Sequence, residues 1–212
     1  MDNQNKQSMM IFDCEIRKAI LGRRESPLQG IEYADGWRDF ANMGISVICT
    51  YDYLKDRYQA FFEDNFNDLQ KLISEREVIV NFNGLGFDNP LCEANDIHVP
   101  NEKTYDILVK VWEGAGLGPR FMYPTHAGYG LDACCATNFG ANKTGFGGFA
   151  PVWWQRGEYG KLVSYCLDDV RLTKRLLDKI VSDGCIVCPK TGGVLKIERP
   201  FKMVEALDGK ED

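Results

Sequence analysis

No apolar run in this sequence is long enough to cross a membrane, so no membrane-spanning segment or membrane partner is expected. The first residues, MDNQNKQS, lack the charged, apolar and cleavage regions of a signal peptide. A cytoplasmic protein with reduced thiols is expected, although cysteine is plentiful at eight residues. Cys14, Cys49, Cys92, Cys166 and the adjacent Cys134 and Cys135 read as small apolar packing groups. A basic surplus is also missing. Lys and Arg number 25 against 31 Asp and Glu, for a formal net charge of −6. That balance argues against a protein that wraps duplex DNA through a broad basic face. It still allows a site in which bound dications reverse the local sign. Histidine is scarce, at positions 98 and 126 only. The one C-x-x-C, Cys185 to Cys188, has no second pair, and neither His stands at knuckle spacing. A structural zinc site, which takes four ligands, is therefore not expected. No P-loop, internal repeat or low-complexity block occurs.

What is present suits an ordinary globular chain. Of its 212 residues, 44% are hydrophobic and 26% charged, enough for a full core without staples. Residues 1–8 read as a flexible N-terminus, 9–182 as the main domain and 183–212 as a small β appendix with a charged tail. Strands are predicted at 9–16, 43–51, 57–62 and 77–82. Helices are predicted at 66–74, with Asp64 and Asn65 as caps, and at 104–113, 131–138 and 158–182, the last stopped by Gly184. Residues 114–130 and 139–149 are Gly-rich and read as loops. A hairpin is expected around Thr191-Gly192-Gly193. Early strands and late helices predict an α/β sheet covered by helices.

Three short motifs carry chemistry. In MMIFDCEI, Met10, Phe12, Cys14 and Ile16 alternate with Ile11, Asp13 and Glu15, which puts both acids on one face of a strand. Acids on a buried face are costly unless paired or metal-bound; a solvent-facing edge strand is the alternative. In NGLGFDNP, Asp88 follows a buried strand and a Gly-rich turn that enters a helix. A plain helix cap would also explain it. In YCLDD, Tyr165 and Asp169 stand four apart and share a helix face. A Tyr at a helix–sheet seam, with Asp169 solvated beside Arg171 or Lys174, is the alternative there.

In order and context, D-x-E on a strand, N-x-x-x-F-D at a strand-to-helix turn and Y-x-x-x-D on a helix resemble the three exonuclease motifs of the DEDD superfamily, over about residues 9–180. The tyrosine is similar to that of the DEDDy branch; the histidine branch would need His at 164, which is Ser. The proofreading domains of family B polymerases and stand-alone bacterial or phage exonucleases are similar. The resemblance implies a ribonuclease H-like fold, with a mixed central β-sheet flanked by α-helices and here a short C-terminal β appendix. It implies that Asp13, Glu15, Asp88 and Asp169 ligate two Mg²⁺ or Mn²⁺ ions, with Tyr165 orienting the attacking water. Two such ions stabilise the attacking and leaving oxygens of an in-line displacement, and oxygen ligands favour these metals over zinc.

The implied activity is 3′→5′ hydrolysis of single-stranded DNA to nucleoside 5′-monophosphates, in replication, repair or phage DNA metabolism. The setting would be the cytoplasm of a bacterium or phage-infected cell, with a possible replication or repair protein as partner. An exoribonuclease acting on an RNA 3′ end stays open, as do a catalytically silent nucleic-acid-binding module and a structural protein with chance motifs. Asn83 is a candidate contact to the substrate backbone or a support for its turn. Phe87 is a candidate wedge against terminal bases, or a core residue. Arg120, Lys143 and Trp153-Trp154 are candidates to line the strand's path, the tryptophans equally suiting helix packing.

Overall fold

The alternation in Met9–Ile16 seeds the sheet. In the computed structural model, which describes residues 8–22, 25–141 and 147–201, this segment is strand β1. Met10, Phe12, Cys14 and Ile16 join Ile48, Leu69, Ile73 and Ile79 in one apolar cluster. Met9 and Ile11 join Val47, Cys49, Val80 and the long C-terminal helix in another. A sheet covered on both faces needs apolar residues at nearly every strand position, and β2 (Ile45–Asp52) is buried throughout. Strands β3 (Arg57–Phe61), β4 (Val78–Asn81) and β5 (Thr104–Asp106) complete the sheet. The order is β3-β2-β1-β4-β5, with β2 antiparallel to its neighbours and the β1–β4 and β4–β5 pairs parallel.

Helices α1 (Phe66–Ser74) and α2 (Asp88–Glu93) carry residues of the first cluster, and α3 (Ile107–Gly114), α4 (Leu131–Phe139), α5 (Ala150–Gln155) and α6 (Tyr159–Asp183) carry residues of the second. Helix α6 packs on β1 and β2 and ends at Gly184, whose φ of +68° is natural to glycine. Strands β6 (Cys185–Val187) and β7 (Val194–Lys196) form the expected hairpin. Its Ile186 and Leu195 share the α6 cluster. The architecture is α/β, with a mixed five-stranded sheet flanked by helices and a small C-terminal β hairpin, and is compatible with a ribonuclease H-like fold. Among the described residues, no helix is long and apolar enough to cross a membrane.

Several expectations need correction. The helix predicted from Thr104 starts at Ile107, because Thr104–Asp106 pairs with Ile79–Asn81 as an edge strand. The strand predicted from 43 starts at Ile45, since Phe40–Met43 is a helical turn. Asn65 does not bond the amides of α1; its Oδ1 accepts from the Phe62 amide at 2.7 Å. The 114–130 loop is folded around the buried His126, whose Nε2 lies 2.9 Å from the Gly118 carbonyl. The readings of the N-terminus, of Lys143 and of the charged tail fall on residues 1–7, 143 and 202–212, outside the described residues.

At the end of β2, Asp52 and Arg76 form a buried bidentate pair, Nη2–Oδ2 2.7 Å and Nε–Oδ1 3.0 Å. Burial alone would raise the Asp52 carboxyl, but the Arg76 hydrogen bonds and charge outweigh it and keep it below its ordinary value. Removing one partner strands the other charge. Arg76→Ala is expected to cost about 3–5 kcal/mol in denaturant unfolding near neutral pH. The loss should shrink as pH falls through the Asp52 pKa, because protonation removes the stranded charge.

Candidate active site

β1 pairs with β4 only through Met9, Met10 and Ile11. Beyond Ile11 the two parallel strands part at their carboxyl ends, the usual place for a ligand crevice in an open α/β sheet. Asp13 and Glu15 lie on this stretch, which pairs with β2 but no longer with β4, on the face shared with Met9 and Ile11. Asp13 is half-buried and Glu15 buried. The Cys14 amide, between them, donates to Asp88 Oδ1 at 3.0 Å. Asp88 opens α2 and is only 4% exposed. Burial pushes its carboxyl up to about 7, against the opposing pull of the Cys14 amide. The N-cap position of α2 is Phe87 and carries no side-chain cap bond, so Asp88 is not the N-cap of this helix.

The turn before Asp88 is held by a residue that sequence reasoning missed. Asp106 Oδ1 accepts from the Asn83 amide at 2.9 Å, and Oδ2 from the Leu85 amide at 3.0 Å. The same carboxylate caps α3 through the Leu108 amide at 3.0 Å. Asn83 adopts φ +71°, an uncommon conformation for a side-chain-bearing residue though one asparagine tolerates. A Cβ on Gly84 would lie 1.7 Å from Asn81 Nδ2, so only glycine lets the turn cross that side chain. Asn81 Nδ2 in turn donates to Asn89 Oδ1 at 3.1 Å. An Asp just before the apolar run from Ile107 is an N-cap signal that could have revealed Asp106.

Helix α6 brings Tyr165 and Asp169 to β1, both buried. The cations proposed to solvate Asp169 are engaged elsewhere: Arg171 with Asp168 at 2.5 Å and Lys174 with Asp178 at 2.7 Å. The Tyr165 ring packs 5.8 Å from Trp153, and a Cβ on Gly147 would lie 3.2 Å from its hydroxyl. Asp13, Glu15 and Cys166 place ligand atoms within 4.8 Å of one another, a density able to hold a metal ion. Burial pushes the Cys166 thiol well above the ordinary range. Its Sγ donates to the Asp13 carbonyl, 3.4 Å away.

Asp13, Glu15, Asp88, Asp169, Tyr165, Asn83 and Phe87 all line one cavity of about 740 Å³. Glu25 adds a fifth acid, and the described lining residues include no Lys or Arg. Such a donor set of hard oxygens in a negative cavity fits a hard divalent cation. Phe87 is half-buried, its ring 6.1 Å from Trp37 and 5.9 Å from Phe40. Arg120 is exposed and does not line the cavity. Trp153 and Trp154 lie in α5 and pack beside Tyr165 and Tyr159. Part of the lining comes from the described residues between Ala19 and Trp37, which sequence reasoning assigned to no element and no site.

The raised Asp88 pKa has a thermodynamic consequence. An acid that holds its proton more tightly folded than unfolded favours folding at low pH, and that contribution is lost as pH rises from about 4 toward 7. Asp88→Asn keeps an acceptor for the Cys14 amide without the charge. In EDTA the stability of this variant relative to the parent is expected to rise by up to about 3 kcal/mol between pH 5 and pH 8. Its Mn²⁺ affinity, by calorimetry, should fall. A relative stability that does not rise over that range would show that the buried charge is not the burden described.

No protein-family model and no curated protein matches the chain. Among solved structures, it is similar to the family B DNA polymerase of the hyperthermophilic archaeon Pyrobaculum calidifontis, at 18% identity over 82% of this chain, with a TM-score of 0.44. The chain spans about a quarter of that polymerase, 24% of its length.

Proposed function

We propose that the protein is a metal-dependent 3′→5′ exonuclease acting on single-stranded DNA and releasing nucleoside 5′-monophosphates. One observation carries this reading: acids from three separate parts of the chain, Asp13 and Glu15, Asp88, and Asp169, line one cavity together with Tyr165. They would hold two Mg²⁺ or Mn²⁺ ions. When bound, such ions supply charge stabilisation at the attacking and leaving oxygens of an in-line displacement.

The chain's own residues divide the remaining work. Asp13 and Glu15, two apart on β1, offer oxygens from one face. Asp88 adds an acid whose proton departs near neutral pH. Tyr165 is braced by Trp153, and Gly147 leaves room beside its hydroxyl that a Cβ would take. It acts by orienting water through its hydroxyl, since a phenol with a free pKa of about 10 is a weak base at pH 7. Asn83 and Phe87 border the acids and contact the strand near the scissile bond. Bound cations would offset the lining acids where a phosphate approaches.

A 5′-labelled single-stranded DNA and the matching RNA, incubated with Mn²⁺ or with EDTA, test the reading. A metal-dependent ladder shortening from the 3′ end of the DNA is expected. Asp13→Asn/Glu15→Gln should lower the rate by on the order of 10³-fold, the scale of several kcal/mol of charge stabilisation. Faster cleavage of the RNA would move the substrate to RNA. Cleavage of neither strand by folded, metal-loaded protein would leave a binding module.

A further inference from the structure

We propose that Trp37 stacks an unpaired nucleobase of the bound strand on a shelf that it forms with Ile20, Leu28 and Tyr33, an inference that rests on the nuclease reading for the identity of the strand. β1 and β2 pair along almost their whole length, so a short turn would suffice to join them. The chain instead makes an excursion whose described residues border the same cavity as the acids. Ala19–Ile20 and Tyr33–Ala34 form a small parallel pair, and Phe40–Met43 a helical turn. Ile20, Leu28, Tyr33 and Trp37 line the cavity from this side.

Trp37 is the unusual member. It is 69% exposed, whereas tryptophan is normally highly buried on average. Its ring meets Phe87 edge-on at 6.1 Å and 65°, and Phe87 is braced by Phe40 at 5.9 Å. One neighbour therefore steadies the indole while most of its surface stays open. Phe87 immediately precedes Asp88, which ties the shelf to the acids.

The shelf is also tied to α5. Gln155 at the end of α5 accepts from the Glu32 amide at 2.7 Å and donates to the Arg17 carbonyl at 2.8 Å and the Glu32 carbonyl at 3.1 Å. The Arg17 guanidinium lies 5.2 Å from the Trp154 ring. Gln155 is thus a positioning residue that ties Arg17 and Glu32 to α5, the helix whose Trp153 packs between the cavity-lining Phe149 and Tyr165 at 6.2 and 5.8 Å.

The chemistry of the cavity selects its occupant. On this side its described lining residues include Ile20, Leu28, Tyr33 and Trp37, an apolar and aromatic surface that suits a base rather than a phosphate. Aromatic faces bind bases without regard to sequence. A base inside a duplex already has its faces stacked and its edge paired; only an unpaired base can present a free face to Trp37.

The test is the binding of a labelled oligothymidylate, and of a strand of equal length with abasic residues at its 3′ end, measured by fluorescence anisotropy in Ca²⁺. The wild type should prefer the base-bearing strand. Trp37→Ala should weaken that strand on the order of tenfold and leave the abasic one unchanged. Trp37→Phe should retain most of the preference. Equal weakening of both strands by Trp37→Ala, no effect on either, or a wild type without preference would overturn the shelf. This readout needs no cleavage. Base preference without Mn²⁺-dependent cleavage sinks the nuclease reading alone, and cleavage without base preference sinks the shelf alone.

Discussion

Where β1 and β4 separate, the amide of Cys14 is taken up by the carboxylate of Asp88. That hydrogen bond does what the ladder does further back along the strands, and it does so with a charged group. Its position between Asp13 and Glu15 draws a third acid to the D-x-E pair. It also draws in α2, which begins at Asp88. The rest of the site is arranged around this junction. Helix α6 brings Asp169 and Tyr165 to the cavity and donates the Cys166 thiol to the Asp13 carbonyl. Burial of Asp88 leaves the folded chain with an acid that is comfortable when protonated, or when positive charge arrives. The local charge balance is open in the direction a cation would close.

Such a junction needs rigid support, because a ligand set displaced by an ångström loses much of its effect. The support is layered. Asp106 holds two amides of the Asn83–Leu85 turn and one of α3 with a single carboxylate, linking edge strand, turn and helix. Asn81 and Asn89 carry the tie on to Asn101 and Thr104. Gln155 ties Arg17 and Glu32 to α5. These side chains act at a distance from the cavity's acids, yet they set where the walls stand.

The parts legible in the sequence are those governed by local periodicity. Alternation in Met9–Ile16 placed Asp13 and Glu15 on one face, and the four-residue spacing of Tyr165 and Asp169 put them together on α6. The stripe Phe66, Leu69, Leu72 and Ile73 matched α1 to the residue. What escaped depends on partners far along the chain. Thr104–Asp106 is a strand only because β4 offers it an open edge. Gln155 bonds residues 123 and 138 positions away. Between β1 and β2 the regular elements among the described residues are only the short pair Ala19–Ile20 and Tyr33–Ala34 and the turn Phe40–Met43, too short for a period to announce them.

The central claim is that these acids form one cation-binding centre. Anomalous diffraction from crystals grown in saturating Mn²⁺ tests it most directly. Two peaks inside the cavity, bounded by Asp13, Glu15, Asp88 and Asp169, are expected. A cavity without a peak at saturating Mn²⁺, with the four side chains placed as described, would contradict a metal centre and leave the clustered acids without the role assigned to them.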